Sequence, residues 1–139
     1  MQTPPTDLQD FAARYTAAWC GQNAANVADF FSPNGSLSVN DGSPAVGRTA
    51  IQYTVQSFMT AFPDLRVSLN ELVVHDGSGN RADYHWTLIG TNTGPGGTGN
   101  KAHIRGVEHW QMGSDGLIAV SRGEFDAAEY QRQIAAPHR

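Results

Sequence analysis

The sequence is poor in cysteine and has no long apolar run. Cys20 is the only cysteine among 139 residues, so an internal disulfide is excluded, which suits a reducing compartment. No stretch of about 18 apolar residues could cross a membrane, and the first residues lack the basic and apolar regions of a signal peptide. We therefore expect a soluble, cytoplasmic protein with no membrane partner.

Charge is also scarce. Charged residues make up 16% of the chain, whereas about a quarter is usual. The nine Lys and Arg residues are scattered and the formal net charge is -4, which argues against a nucleic-acid partner. The length and the 40% hydrophobic content predict one domain, residues 1–139, that buries its own core.

The motifs of metal and cofactor chemistry are missing as well. The chain has no phosphate-binding loop, no dinucleotide fingerprint and no nucleophile elbow. His75, His103 and His138 are separated along the chain, and no carboxylates cluster at metal-ligand spacing. The sequence thus predicts neither a metal nor a cofactor.

Four stretches have helical periodicity. A capping box at Thr6–Gln9 precedes an apolar stripe that ends at Gly21. A short second helix is predicted over Ala24–Phe31 and a third over Arg48–Phe62, where Pro63 follows. The last begins at Asp126, which reads as an N-cap, and runs towards Ile134.

Alternating apolar runs bounded by turn residues predict the strands. These strands cover Ser36–Asn40, Leu65–Val74, Ala82–Gly90 and the two sides of a hairpin turn at Gly113–Gly116, with further turns at Asp41–Pro44 and Asp76–Gly79. The order of the elements predicts an α+β domain in which helices pack on an antiparallel sheet.

The first strand of the hairpin carries the sharpest functional signal. Val107 and His109 share one face of this strand, while Glu108 and Trp110 share the other. Whichever face is inward brings an ionisable side chain into an apolar interior. The pattern therefore predicts a pocket without naming a reaction.

The segment Asn92–Asn100 holds four glycines and one proline, which predicts a mobile loop. Such a loop either covers a pocket as a lid or only connects two strands. The second alternative is favoured because surface connections are common.

Several strings resemble the nuclear transport factor 2-like superfamily, and within it the SnoaL-like polyketide cyclases. They are Arg14–Trp19, Val46–Ile51, Phe62–Leu65, Trp86–Gly94, Asp115–Gly116 and Arg132–Ile134, which occur in the family's order across nearly the whole chain. The resemblance implies a curved sheet wrapped by helices into a cone, with one deep pocket between the first helix and the sheet. Because members differ widely in activity, function must be argued from the site.

The resemblance carries over only part of a catalytic site. The aspartate base of the SnoaL-like cyclases falls on Gly123, and their pocket histidine falls on His109. The tyrosine and the acid of the ketosteroid isomerases fall on Tyr15 and Glu108, and their base aspartate matches Asp41 only if a gap is allowed. These two likenesses disagree about which face of the strand is inward, and we favour His109.

The polar set of the limonene-epoxide hydrolases is not preserved. Its positions fall on Leu37, Val39, His85, Thr87 and Gly123, which cannot hold a reactive water in that family's way. This likeness therefore gives only the weakest functional alternative.

Five side chains are candidates for catalysis. We predict His109 as the acid or base, with His85 and Tyr15 as hydrogen-bonding partners. The alternatives are half-buried, hydrogen-bonded histidines and a tyrosine that only packs in the core. Glu108 is either the pocket acid or a solvated strand residue, and the latter is the norm for glutamate. Asp126 is either a replacement base or a helix cap, and its capping-box pattern favours the cap.

The candidate substrate-binding residues are mostly aromatic: Trp19, Phe31, Asn40, Phe58, Phe62, Thr87 and Trp110. We expect a cofactor-independent cyclase, isomerase or dehydratase that acts on a hydrophobic, carbonyl-containing, polyketide-like molecule. The alternatives are a non-catalytic binding domain of the same fold and an epoxide hydrolase. The resemblance also implies a homodimer.

Overall fold

The computed structural model describes residues 4–40, 42–75 and 80–135. In chain order, these residues form α1 (Pro4–Cys20), α2 (Ala24–Ala28), β1 (Phe31–Val39), β2 (Ala45–Val46), α3 (Arg48–Ala61), β3 (Arg66–Val74), β4 (Arg81–Thr91), β5 (Lys101–Met112), β6 (Ile118–Phe125) and α4 (Ala127–Ala135). None of the helices described is both long and apolar enough to cross a membrane. The turn predicted at Asp76–Gly79 and the position of Asp41 lie outside the described residues.

The strands form one curved, open sheet in the order β2-β1-β6-β5-β4-β3. The α+β class and the helix-wrapped curved sheet are confirmed. The prediction of a purely antiparallel sheet was wrong, because β1 pairs with β6 in parallel while the other neighbours are antiparallel. The alternation of apolar and polar residues predicts which residues form a strand. It does not predict which other strand pairs with it.

The second helix is shorter than its apolar pattern predicts. Asn23 caps it by accepting a hydrogen bond from the Asn26 amide, and the helix ends at Ala28. Phe31 then pairs with Ile118 of β6, so β1 begins five residues before the predicted Ser36. Pairing with a distant strand has overridden the local helical spacing.

The hairpin between β5 and β6 is confirmed. Gly116 has φ 80, a left-handed conformation that glycine adopts without strain, and its amide donates to the Gly113 carbonyl at 3.0 Å. The Leu117 amide donates to the Asp115 carboxylate at 3.0 Å. This turn sets the register of β5 against β6, and so decides which of their residues are paired.

The glycine-rich loop after β4 is held by many hydrogen bonds. Buried Asn92 accepts from the Thr98 amide at 3.0 Å and donates to the Ala61 carbonyl at 3.1 Å. Asn100 donates to the Ile134 carbonyl of α4 at 3.0 Å. The loop therefore ties the end of α3 to the end of α4, as a connection with defined structure.

The core lies between the helices and the inner face of the sheet. Tyr15 of α1 is fully buried, and its ring centroid lies 5.3 Å from those of Tyr84 and Trp110. The Tyr84 and Trp110 rings stack on each other at 4.9 Å. These aromatic contacts fix α1 over β4 and β5, where the functional site forms.

Candidate active site

Strand β5 places Glu108 inside the molecule and His109 outside. Tyr84 pairs with Glu108 and Asp83 pairs with His109 across an unbroken register. Glu108 is 8% exposed, whereas the His109 side chain is 37% exposed. The prediction that His109 faces inward was wrong, because the apolar side chains that α1 covers are those on the face of Glu108.

The inner face borders an apolar pocket of about 70 Å³, called the funnel below. Glu108 is the only acidic or basic side chain among the described residues that line it. The full lining is Trp19, Leu37, Val39, Thr54, Phe58, Val67, Tyr84, Trp86, Leu88, Glu108, Gly123 and Phe125. An apolar wall can bind a hydrophobic molecule, and a carboxyl group in that wall can accept or donate a proton.

Three donors converge on one oxygen of Glu108. Its Oε1 accepts from the Tyr15 hydroxyl at 3.0 Å, from the Trp110 indole at 2.9 Å and from the Ser121 hydroxyl at 2.8 Å. Its Oε2 accepts only the longer contact from Tyr15, at 3.2 Å, among the hydrogen bonds of the described residues. Oε2 is thus the oxygen with lone pairs left for a ligand.

The surroundings of Glu108 favour its neutral form more than water does. Burial raises the pKa of the Glu108 carboxyl above its ordinary range, and the hydrogen bonds from Trp110, Ser121 and Tyr15 oppose this only in part. Burial and the negative charge of Glu108 also raise the pKa of Tyr15 well above its usual value. Tyr15 therefore keeps its hydroxyl proton at neutral pH and remains a donor to Glu108.

Trp86 brings an unpartnered donor to the pocket wall. Among the described residues, its Nε1 is the one buried side-chain nitrogen or oxygen without a hydrogen-bond partner. A buried polar group left unpaired costs about 1–3 kcal/mol. The indole lies over Gly106, where a Cβ would come within 2.3 Å of the Trp86 Cζ2 atom.

Gly123 leaves space beside Glu108. A Cβ built there would lie 3.8 Å from the Glu108 Cγ, which is ordinary van der Waals contact. The position where the SnoaL-like cyclases carry their aspartate therefore does line the pocket, and this chain has no side chain there.

The outer face of the sheet carries a separate polar cluster. Asp83 bridges His109 Nδ1 at 2.7 Å and His75 Nε2 at 2.8 Å, and His109 Nε2 lies 3.6 Å from a Glu124 oxygen. Partial burial raises the pKa of Asp83, yet the hydrogen bonds from His109 and His75 outweigh it and hold the pKa below its usual range. His85 and Thr87 share this outer face by strand alternation, so neither reaches the funnel.

The remaining predicted residues are spread around the funnel. Trp19 and Phe58 line it. Trp110 lies behind Glu108, where it donates its hydrogen bond. Phe31 and Phe62 are fully buried in the core and are not among the lining residues.

Asn40 and Asp126 have structural roles next to the wall. The Asn40 side chain accepts from the Phe125 amide at 3.0 Å and so holds the end of β6. Asp126 accepts from the Glu129 amide at 3.0 Å, which is the N-cap geometry of α4. Asp126 therefore caps a helix and does not line the funnel.

Sequence reasoning missed Ser121 and Trp86. Ser121 lies on β6 and reaches Glu108 because it pairs with Trp110. Trp86 shares an alternating pattern with Tyr84 and Leu88, which indicates the inner face of β4. Once Glu108 is placed inward, that pattern and the register of the strands identify both residues.

No group of three or more His, Cys, Asp or Glu side chains that could hold a metal occurs within the described ranges.

Residues 12–121 match the SnoaL-like domain. A crystal structure from Jannaschia sp. CCS1, provisionally assigned as a SnoaL-like polyketide cyclase, superposes with a TM-score of 0.83 and 18% identity over 96% of this chain and 94% of that one. A protein from Xanthomonas campestris pv. campestris, provisionally assigned as a polyketide cyclase, superposes with a TM-score of 0.71 and 20% identity over 91% of this chain and 95% of that one.

A third similar structure is a hypothetical protein from Catenulispora acidiphila with a ketosteroid isomerase-like fold, which was crystallised with trimethylamine. It gives a TM-score of 0.78 and 14% identity over 91% of this chain and 93% of that one. At such identities these structures show a shared fold. No curated protein sequence matches the chain.

Proposed function

Because the chain belongs to the SnoaL-like domain family, we propose that it is a cofactor-free acid–base enzyme that acts on a hydrophobic, carbonyl-containing small molecule. The observation that carries the proposal is a single buried carboxyl group, that of Glu108, on the wall of an otherwise apolar funnel. Burial that favours the neutral carboxyl makes the carboxylate a stronger base once it has lost its proton.

Glu108 would act as the general base. Its Oε2 takes a proton from the carbon next to a carbonyl group, the C–H electron pair moves into the carbon–carbon bond, and the carbonyl π electrons move to the oxygen as an enolate. In a substrate with a neighbouring C=C bond, return of the proton to the far end of the dienolate gives isomerisation. Attack of the enolate carbon on a second carbonyl, whose oxygen then takes the proton back from Glu108, gives cyclisation. Tyr15, Trp110 and Ser121 hold the carboxylate in place through Oε1.

The proposed substrate is polyketide-like. The apolar wall supports a carbon-rich molecule, and two of the similar structures are provisionally assigned as polyketide cyclases. An epoxide hydrolase is not supported, because Leu37, Val39 and Gly123 give the wall no polar group to hold a reactive water.

The test is hydrogen–deuterium exchange next to the carbonyl of hydrophobic ketones in buffered D2O. We expect Glu108→Gln to lower the enzyme-catalysed exchange rate by about 10²- to 10⁴-fold, the usual contribution of a general base. His109→Gln is the matched control, since it changes an ionisable side chain one residue away on the outer face, and its rate should stay within about twofold of wild type.

Equal rates for wild type and Glu108→Gln would contradict the assignment of Glu108 as the base. A wild-type protein that binds ketones without exchanging their hydrogens would favour the second candidate, a non-catalytic binding domain. The observation in favour of that candidate is Gly123, which leaves the wall without the aspartate of the SnoaL-like cyclases.

We further propose that the protein acts in the cytoplasm as a homodimer. The single cysteine supports a reducing compartment, and the family resemblance supports self-association. Light scattering after size-exclusion chromatography measures the mass directly, and a monomer would contradict the homodimer.

A further inference from the structure

Trp86 is the feature of the funnel that the proposed reaction leaves unexplained. Its indole N–H is buried and unpartnered, although buried polar groups almost always have a hydrogen-bond partner. The same side chain lines the apolar funnel, but its Nε1 atom is covered by neighbouring protein atoms, so a bound molecule reaches the N–H only when those atoms shift. An N–H donor can be satisfied only by an acceptor atom.

The indole has one defined position, which the neighbouring strands set. Trp86 pairs with Gly106, and a Cβ on Gly106 would lie 2.3 Å from Cζ2 and 2.7 Å from Cε2 of the indole. The ring thus occupies the volume that any other residue at position 106 would fill. Phe125 contacts it edge-on with ring centroids 6.2 Å apart.

The register places Trp86 near Glu108 on the inner face of the sheet. Glu108 pairs with Tyr84 and Gly106 pairs with Trp86, so the two positions lie two residues apart on the inner face. Two residues along a strand span about 7 Å. Both residues line the funnel, so one bound molecule can contact both side chains.

We propose that Trp86 is a positioning and specificity residue that donates its indole N–H to the carbonyl oxygen of the substrate. This inference rests on the proposed function, because it assigns the oxygen of the same carbonyl whose neighbouring carbon faces Glu108. The hydrogen bond orients the carbonyl and stabilises the negative charge that develops on its oxygen. It also selects ketones over hydrocarbons of the same shape.

The experiment compares two probes of similar size, 2-tetralone and tetralin, of which only the first has a carbonyl oxygen. Binding is followed by the indole N–H signals in a nitrogen-15 spectrum of the wild-type protein. Trp86→Phe assigns the Trp86 signal; if that variant does not fold, Trp19→Phe and Trp110→Phe assign it by elimination. We expect 2-tetralone to move the Trp86 proton downfield, and tetralin to leave it nearly unchanged.

The affinities give a second readout. Trp86→Phe should lower the affinity for 2-tetralone by about tenfold, the effect of one lost hydrogen bond, and leave that for tetralin within about twofold. Trp19→Phe is the matched control, because it alters a second tryptophan of the wall and should affect both probes alike.

Equal wild-type affinities for the two probes, an unmoved Trp86 signal, or binding of neither probe would overturn the inference. These outcomes are separable from failure of the proposed function. If 2-tetralone moves the Trp86 signal while Glu108→Gln exchanges hydrogens as fast as wild type, the hydrogen bond stands and the assigned base is wrong.

Discussion

Glu108 is a buried acid that is held in place by hydrogen bonds and whose pKa is raised by burial. Three neutral donors converge on Oε1, which fixes the carboxyl group, while burial disfavours its charged form. The net direction is a raised pKa. At the residue scale, the proposed catalysis and the stability of the fold therefore depend on the same proton.

The raised pKa predicts how stability changes with pH. Between the ordinary glutamate pKa of 4.5 and the raised folded-state pKa, the folded protein binds more protons than the unfolded chain. The free energy of unfolding should therefore fall as pH rises through this window. The slope should be largely absent in Glu108→Gln.

Urea unfolding between about pH 4 and pH 8 measures this slope. Glu71→Gln, which changes an exposed glutamate of β3, is the control and should keep the wild-type slope. Parallel curves for wild type and Glu108→Gln would contradict a raised folded-state pKa at Glu108.

At the scale of single elements, the local sequence predicted most helix ends and turns well, although α1 begins at Pro4, before the capping box predicted at Thr6–Gln9. The α3 start at Arg48, the Gly113–Gly116 turn and the α4 cap at Asp126 all follow from patterns within a few residues. The parallel pairing of β1 with β6 depends on residues far apart in the chain, and local alternation could not predict it.

The cap of α4 gives a prediction at this scale. Asp126→Ala removes the acceptor of the Glu129 amide and should lower the free energy of unfolding by about 1 kcal/mol. Asp126→Asn keeps a capping oxygen and should be much closer to wild type. Thermal unfolding compares the variants, and equal losses for both would mean that charge and not capping is what Asp126 supplies.

The orientation of β5 is where sequence reasoning about the site failed. Both faces of this strand offer an ionisable side chain next to apolar residues, so alternation alone cannot choose between Glu108 and His109. The choice is made by α1, whose Tyr15 reaches across 93 positions of sequence to Glu108. The pattern within one strand cannot predict that contact, because Tyr15 lies far away in the sequence.

At the scale of the whole molecule, one aromatic cluster joins the first helix to the sheet. The Tyr15 ring contacts Phe30, Phe31, Tyr84 and Trp110, with centroid distances between 5.3 and 6.2 Å. The same residue supplies a donor to Glu108, so packing and site geometry share one side chain.

Two substitutions of Tyr15 separate these roles. Tyr15→Ala empties the centre of the cluster and should lower the free energy of unfolding by about 3–5 kcal/mol. Tyr15→Phe keeps the ring and removes only the hydroxyl, so its loss should be about 1 kcal/mol. Denaturant unfolding measures both, and similar losses would show that the hydrogen bond, not the ring, dominates.

The placement of an acid and an imidazole back to back on β5 has a practical consequence. A spectroscopic label that replaces His109 would be attached to the same strand as Glu108 but on the outer face of the sheet, outside the volume that a substrate would occupy. Such a label would report ligand binding through small displacements of β5, and it would not block the pocket on the inner face.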